Sequence, residues 1–246
     1  MSHRLKNLLY PAGIMASATI GAGIFALPFV FYGAGWLLSV VTLCVVAFLV
    51  AFAHALYWDV LEKVKERTHL LGLVARHYGA LGEYVALLAI VGGLLLALVV
   101  YLILGGGFLE MLFPALQGWG VALFWLINSL PLLLREKGFE RSELVGAVAM
   151  SAIILFIFFG ALQGAAAPFV PRADMSNFFL LFSALLFALA GWTAVEPILR
   201  HGKGAHEILR KARAAMGGGT ISAAVLYALF VFGIWVSADA ITPDTL

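Results

Sequence analysis

The chain has little charge and almost no cysteine. Only 11% of its 246 residues are Asp, Glu, Lys or Arg, against roughly one quarter in a typical soluble domain. The stretch from Asn7 to Trp58 holds no such residue. The single cysteine, Cys44, excludes an intrachain disulfide. The net charge of +2 gives no reason to expect nucleic-acid binding, and the composition excludes an ordinary soluble domain.

The sequence also lacks the motifs of enzymes and of metal sites. It has no HExxH motif and no cluster of His, Cys and Asp with metal-ligand spacing. Ionisable side chains are absent from the middle of the apolar segments, and we interpret Glu110, Glu196 and His54 as boundary residues rather than proton carriers. Asn128 lies well inside an apolar segment, and we expect it to hydrogen-bond a neighbouring helix. We therefore expect no enzyme activity and no metal site.

Apolar stretches between charged residues predict seven membrane-spanning helices. Each is close to the about 20 residues that cross a bilayer core. The predicted spans lie near residues 9–31, 36–58, 84–109, 115–134, 144–163, 177–199 and 217–238. Residues 59–83 are too polar for a span. They predict a charged extension of the second helix, followed by a short surface helix that leads into the third.

The basic residues predict which helix ends face the cytoplasm. Fourteen of the fifteen Lys and Arg residues fall on one side of the seven-span arrangement, and only Arg172 falls on the other. Cytoplasmic loops of membrane proteins carry such an excess. We therefore expect an integral protein of the plasma (inner) membrane, with a cytoplasmic N-terminus and an extracytoplasmic C-terminus.

The stretch TIGAGIFALP, from Thr19 to Pro28, lies within the first predicted span and is poorly suited to a continuous helix. Relative to alanine, glycine costs a helix about 1 kcal/mol and interior proline about 3 kcal/mol. An opened turn in a bilayer needs partners for its N–H and C=O groups, because lipid has none. Two interpretations are open: the bare backbone binds a solute, or Gly21 and Gly23 allow helices to pack closely.

The sixth predicted span has similar features. LLFALAGWTAVEP, residues 185–197, mixes small with bulky residues and ends in proline. Interrupted helices in corresponding positions of two halves indicate a transporter site in which helix ends hold the substrate. For Phe187 and Trp192, packing and substrate contact are both open interpretations.

These motifs resemble those of a known family. The stretch from Gly13 to Trp36, with GAGIFALPFVFYGAGW at its centre, resembles the opening helix of the amino acid/auxin permease family, within the amino acid–polyamine–organocation superfamily. Residues 73–88, LVARHYGALGEYVALL, are similar to the entry to its third helix, and Phe187 with Gly191 is similar to its sixth-helix pattern. The resemblance implies an all-α membrane protein with a LeuT-type fold. Its seven transmembrane helices would correspond to helices 1–7 of a five-plus-five inverted repeat, with helices 1 and 6 discontinuous.

The resemblance also implies how the chain is divided. Residues 1–246 would form a single transmembrane domain, with the first five-helix repeat in 1–163 and the start of the second repeat in 177–246. Since such a fold has ten core helices, we expect the chain to be a C-terminally truncated member.

The substrate site is likewise implied by the resemblance. The backbone at the break in helix 1 would receive the carboxylate of an amino acid, and Phe187 would close the site. Thr193 stands where many superfamily members have glutamate. The resemblance therefore implies no acidic ion-coupling role for this position. The implied substrate-binding residues are Thr19, Ile20, Gly21, Ala22, Gly23, Ile24, Phe187, Ala188, Ala190, Gly191, Trp192 and Thr193.

The function implied is secondary active transport of amino acids by alternating access. We expect no cofactor, and Na+ or H+ is a possible coupling ion. The expected partners are a small amino acid substrate and the lipid bilayer. The alternative is a non-transporting membrane scaffold, or a partial subunit that completes its fold with another chain.

Overall fold

The computed structural model describes residues 3–64, 69–133, 136–163, 173–201 and 206–237. These residues form nine α-helices and no strand. In chain order the helices are α1 (His3–Thr19), α2 (Gly23–Ala34), α3 (Trp36–Lys63), α4 (Leu70–Leu112), α5 (Gly120–Ser129), α6 (Glu136–Ala161), α7 (Phe178–Ala188), α8 (Val195–His201) and α9 (His206–Ser237). The chain forms two compact units, one of Met1–Glu62 with Glu143–Leu246 and one of Lys63–Ser142.

The connection between α2 and α3 is very short. Gly35 alone separates the two helices, and its φ of 85° lies in the left-handed region that glycine adopts without strain. Its backbone N–H donates to the Phe31 carbonyl oxygen at 2.8 Å. Helix α3 then continues through the charged segment to Lys63, which confirms the predicted extension of the second helix.

The core of the first unit lies between α2, α7 and α9. Buried side chains there include Leu27 and Phe31 of α2, Leu185 of α7, and Tyr227 and Val231 of α9.

Glycines in α9 allow neighbouring helices of this unit to approach closely. A Cβ atom at Gly219 would lie 2.5 Å from the Ala12 carbonyl oxygen of α1, and one at Gly233 would lie 2.9 Å from Ile157 Cγ2 of α6. Small residues at helix interfaces are typical of membrane proteins.

An aromatic cluster joins the ends of α2, α3 and α9. The Trp36 ring centroid lies 6.0 Å from that of Phe31, 6.1 Å from that of Phe232 and 5.4 Å from that of Trp235, all in edge-to-face geometry. Such pairs add to the stability gained from burial alone. Trp and Tyr are enriched where membrane proteins meet the lipid–water interface.

The second unit consists mainly of α4 and α5. Gly79, with φ 66° and ψ −166°, interrupts α4 and separates a first segment from a long apolar one. This division matches the predicted surface helix followed by the third span. Glu110 near the end of α4 accepts hydrogen bonds from the N–H groups of Gly118 (2.9 Å) and Gly120 (3.0 Å). The carboxylate therefore caps the start of α5.

The number of long apolar helices is smaller than predicted. Four elements of the described chain are long and apolar enough to cross a membrane: Trp36–Lys63, Leu70–Leu112, Met175–Leu199 and Arg210–Ser237. The bent pair Pro11–Thr19 and Gly23–Ala34 adds a fifth if it counts as one crossing. The other two predicted spans contain shorter helices, Gly120–Ser129 and Val145–Ala161.

The helix in the fourth predicted span is short for local reasons. The first residues of the predicted span form a 3-10 turn at Pro114–Leu116 and a turn with positive φ at Gly118 instead of α-helix. Its last residues form a second 3-10 turn at Leu130–Leu133. Pro131 has no N–H to extend the α-helical ladder. Ten α-helical residues are about 15 Å long, half the thickness of a bilayer core.

Candidate functional site

The first predicted break is present. Helix α1 ends at Thr19, α2 begins at Gly23, and the two axes are bent by 64°. The Ile20 N–H still bonds to the Ala16 carbonyl oxygen at 2.8 Å, and the Ile24 N–H bonds to the Gly21 carbonyl oxygen at 3.1 Å. Between them, the N–H groups of Gly21, Ala22 and Gly23 have no backbone acceptor among the described residues. The expected discontinuity of helix 1 is thus confirmed.

The second predicted break lies between α7 and α8. Helix α7 ends at Ala188, a 3-10 turn covers Trp192–Ala194, and α8 begins at Val195. In between, the Gly191 N–H donates to the Leu189 carbonyl oxygen at 2.8 Å, which closes a tight turn around Ala190. The sixth predicted span is therefore discontinuous as well.

The two breaks are in direct contact. A Cβ atom at Gly23 would lie 2.6 Å from Cα of Ala188, so the start of α2 packs against the end of α7. A Cβ atom at Gly191 would collide with Oγ1 of Thr19. For Gly23 this contact favours the packing interpretation of the glycine, because even one methyl group has no room there.

Tyr227 of α9 joins the two breaks. Its hydroxyl oxygen lies 2.6 Å from the Thr19 carbonyl oxygen and 2.7 Å from the Ala188 carbonyl oxygen, so these two acceptors share its one hydrogen. The side chain is fully buried. Sequence reasoning missed this residue. The available signal was a tyrosine in the middle of an apolar span, since a buried tyrosine hydroxyl usually finds a hydrogen-bond partner.

The structure divides the predicted site residues by burial. Thr19, Ala22, Gly23, Ile24, Ala188 and Gly191 are buried, Ile20, Gly21 and Trp192 are partly buried, and Phe187, Ala190 and Thr193 are exposed. The buried group lies at the contact between the two breaks. Phe187 is 43% exposed, so its ring is not enclosed by the described residues of the chain.

Polar side chains elsewhere in the first unit tie α3 to other helices. His54 Nδ1 lies 3.2 Å from Thr220 Oγ1 of α9, and the Tyr57 hydroxyl donates to Glu196 of α8 at 2.7 Å. Both His54 and Thr220 are buried. No group of His, Cys, Asp and Glu among the described residues is arranged to hold a metal ion.

The expectation for Asn128 was wrong. Its amide donates to the Phe124 carbonyl oxygen of its own helix at 2.9 Å, and the contact is exposed. An asparagine four residues after a helical carbonyl can reach it without any neighbouring helix, because residues i and i+4 lie on one face.

The comparison with protein families decides the class of this membrane protein. The model of the tryptophan/tyrosine permease family matches residues 4–238. The chain belongs to this family. The permease is therefore a transporter rather than an enzyme, and its family moves amino acids across membranes. No curated protein and no solved structure gives a significant match.

Family membership confirms the broader part of the sequence prediction. An amino acid permease was expected from the glycine-rich first helix, and the matched range includes both breaks and Tyr227. The permease also has the apolar helices that a lipid environment requires.

Proposed function

We propose that this permease carries amino acids by alternating access around its two interrupted helices. The substrate carboxylate is held by the unwound backbone of helix 1. One observation carries this proposal: the N–H groups of Gly21, Ala22 and Gly23 have no backbone acceptor in the described chain. Ala22 is 5% exposed and Gly23 is buried. A buried donor without an acceptor costs about 1–3 kcal/mol, and a carboxylate would satisfy it.

The helix ends around the breaks have the charge distribution that a zwitterion requires. The start of α2 carries about half a positive charge, which favours the carboxylate. The ends of α1 and α7 carry partial negative charge, which favours the ammonium group. The carbonyl oxygens of Thr19 and Ala188 at these two ends are occupied by the Tyr227 hydroxyl, so the ammonium group would interact with the partial charge of the helix ends and not with these two oxygens. No charged side chain is needed for this arrangement.

We further propose that the substrates are aromatic amino acids such as tryptophan and tyrosine, which the family's name supports. Phe187 and Trp192 flank the second break, and an indole or phenol ring would stack on such side chains. The remaining predicted site residues, Ile20, Ile24, Ala190, Gly191 and Thr193, would line the same region.

The proposed fold is the LeuT-type five-plus-five inverted repeat of the amino acid–polyamine–organocation superfamily, with seven spans in this chain. It is supported by the position of the two breaks, in the first and sixth predicted spans. The excess of basic residues on one side supports a cytoplasmic N-terminus in the plasma (inner) membrane. Na+ or H+ would drive uptake. A membrane scaffold without transport activity is disfavoured by the permease family.

The test of the carboxylate site removes one N–H group. Ala22 has φ −56°, which proline adopts, so Ala22→Pro deletes a donor at a compatible backbone angle. We expect its dissociation constant for L-tryptophan to rise about tenfold to a hundredfold, because a hydrogen bond to a charged group contributes about 1.5–3 kcal/mol. Ala22→Gly keeps the N–H and is the matched control. Isothermal titration calorimetry on the purified permease measures both.

Two further measurements sharpen this test. Tryptamine lacks the carboxylate, so we expect it to bind the wild type weakly and to lose less affinity than L-tryptophan in Ala22→Pro. Labelled L-tryptophan uptake into proteoliposomes then tests transport itself. Wild-type affinity in a folded Ala22→Pro variant would contradict the carboxylate site, and no uptake of any amino acid would favour the scaffold.

A further inference from the structure

Tyr227 places one hydroxyl group between the last carbonyl groups of two helices. The Thr19 carbonyl oxygen ends α1 and the Ala188 carbonyl oxygen ends α7, and both lie within 2.7 Å of the hydroxyl oxygen. Tyr227 is 208 residues from Thr19 and 39 from Ala188, so only the packing of α9 brings the three together. The exposed fraction of Tyr227 is 0%.

Both acceptors belong to the negative ends of helices. A helix C-terminus carries about half a negative charge, and in transporters with broken helices such ends coordinate coupling ions. Two such ends directed at one point create a position that favours positive charge. In this permease the hydroxyl hydrogen of Tyr227, which is the positive end of the O–H bond, occupies that position.

We propose that Tyr227 is a positioning residue whose hydroxyl takes the place of a monovalent cation at the junction of α1 and α7. Substrate binding therefore needs no Na+, which leaves H+ of the two possible coupling ions. This inference deepens the proposed function and rests on it for the substrate. The hydroxyl holds the two breaks in one fixed geometry, because its one hydrogen is shared between their two carbonyl oxygens. A tyrosine with only a packing role would also stabilise the junction, but its loss would not create a response to Na+.

The experiment compares the wild-type chain with Tyr227→Phe in sodium chloride and in choline chloride at equal ionic strength. Tyr101→Phe makes the same chemical change at an exposed position of α4 and is the matched control. The readouts are the melting temperature without substrate and the dissociation constant for L-tryptophan. We expect the wild type and Tyr101→Phe to give the same values in both salts, within twofold for the dissociation constant.

Tyr227→Phe leaves both carbonyl groups without their donor. In choline chloride we expect it to bind L-tryptophan about tenfold more weakly than the wild type. Sodium chloride should recover much of this loss and raise the melting temperature in a saturable way, because Na+ can bind where the hydroxyl was. The proposal is overturned if the wild type needs Na+ for tight binding, or if Tyr227→Phe behaves alike in both salts.

The melting data separate this inference from the proposed function. If the wild type binds no amino acid but Na+ stabilises Tyr227→Phe alone, the substrate assignment fails and the role of Tyr227 stands. If Tyr227→Phe does not fold, 4-aminophenylalanine at position 227 replaces it. That side chain keeps an N–H donor, so we expect wild-type melting without a Na+ response. Misfolding of this variant as well, or a Na+ response in it, would overturn the proposal.

Discussion

At the scale of single residues, Gly191 and Thr19 show how closely the two breaks fit together. Thr19 Oγ1 donates to the Met15 carbonyl oxygen at 2.7 Å, which fixes its side chain against α1. Gly191 lies directly beside this hydroxyl, and both residues are buried. The hydroxyl thus occupies the space that a larger residue at position 191 would need.

This contact predicts a compensating pair of substitutions. Gly191→Ala should destabilise the permease by about 1–3 kcal/mol, because its Cβ collides with Thr19 Oγ1. Adding Thr19→Ala removes that oxygen and should recover most of the loss, which a double-mutant cycle of thermal unfolding measures. Thr19→Ser keeps the oxygen and should recover nothing. Additive effects of Gly191→Ala and Thr19→Ala would show that the two residues do not interact.

At the scale of helices, the breaks follow from local sequence, whereas their contact depends on glycine at one interface. The start of α2 can approach the end of α7 only because Gly23 has no side chain. The sequence predicted both breaks because glycine and proline weaken a helix wherever it lies. The resemblance placed both breaks at one site, but it did not predict that Gly23 packs directly against Ala188, because residues 23 and 188 are far apart in the chain.

The pairing of α2 with α7 can be tested with alanine. Gly23→Ala should lower the melting temperature, since its Cβ would meet the Ala188 backbone at 2.6 Å and the helices would have to separate. Gly93→Ala is the matched control, because a Cβ there meets nothing within 4 Å and alanine favours the helix. Its melting temperature should stay the same or rise. Equal effects at both positions would argue against a close α2–α7 contact.

At the scale of the whole molecule, the apolar helices and the distribution of charge determine how the permease lies in a membrane. Four helices, or five with the bent pair, are suited to cross a bilayer. The predicted orientation depends on the Lys and Arg residues that are concentrated on one side of the predicted spans. Four of those fourteen residues fall outside the described part of the chain, and the orientation stays a prediction.

Cysteine labelling in whole cells measures this orientation. In a Cys44→Ser background, Lys63→Cys at the end of α3 should be protected from an impermeant maleimide, because the predicted loop after it is cytoplasmic. Gln117→Cys, in the connection between α4 and α5, should be labelled from outside. Permeabilised cells should label at both positions. The reverse pattern would invert the predicted topology.

The sequence by itself determined that the chain is a membrane protein, and where two of its helices are interrupted. Both properties depend on neighbouring residues: apolar runs must avoid water, and glycine or proline weakens the helix in which it lies. Only the tertiary structure decided which residues meet at the interruptions. Tyr227, Thr19 and Ala188 come together through packing over long sequence separations, which no local pattern encodes. The short length of α5 was also visible only in the structure. Turns at both of its ends shorten it, and the apolar character of a twenty-residue stretch does not reveal such turns.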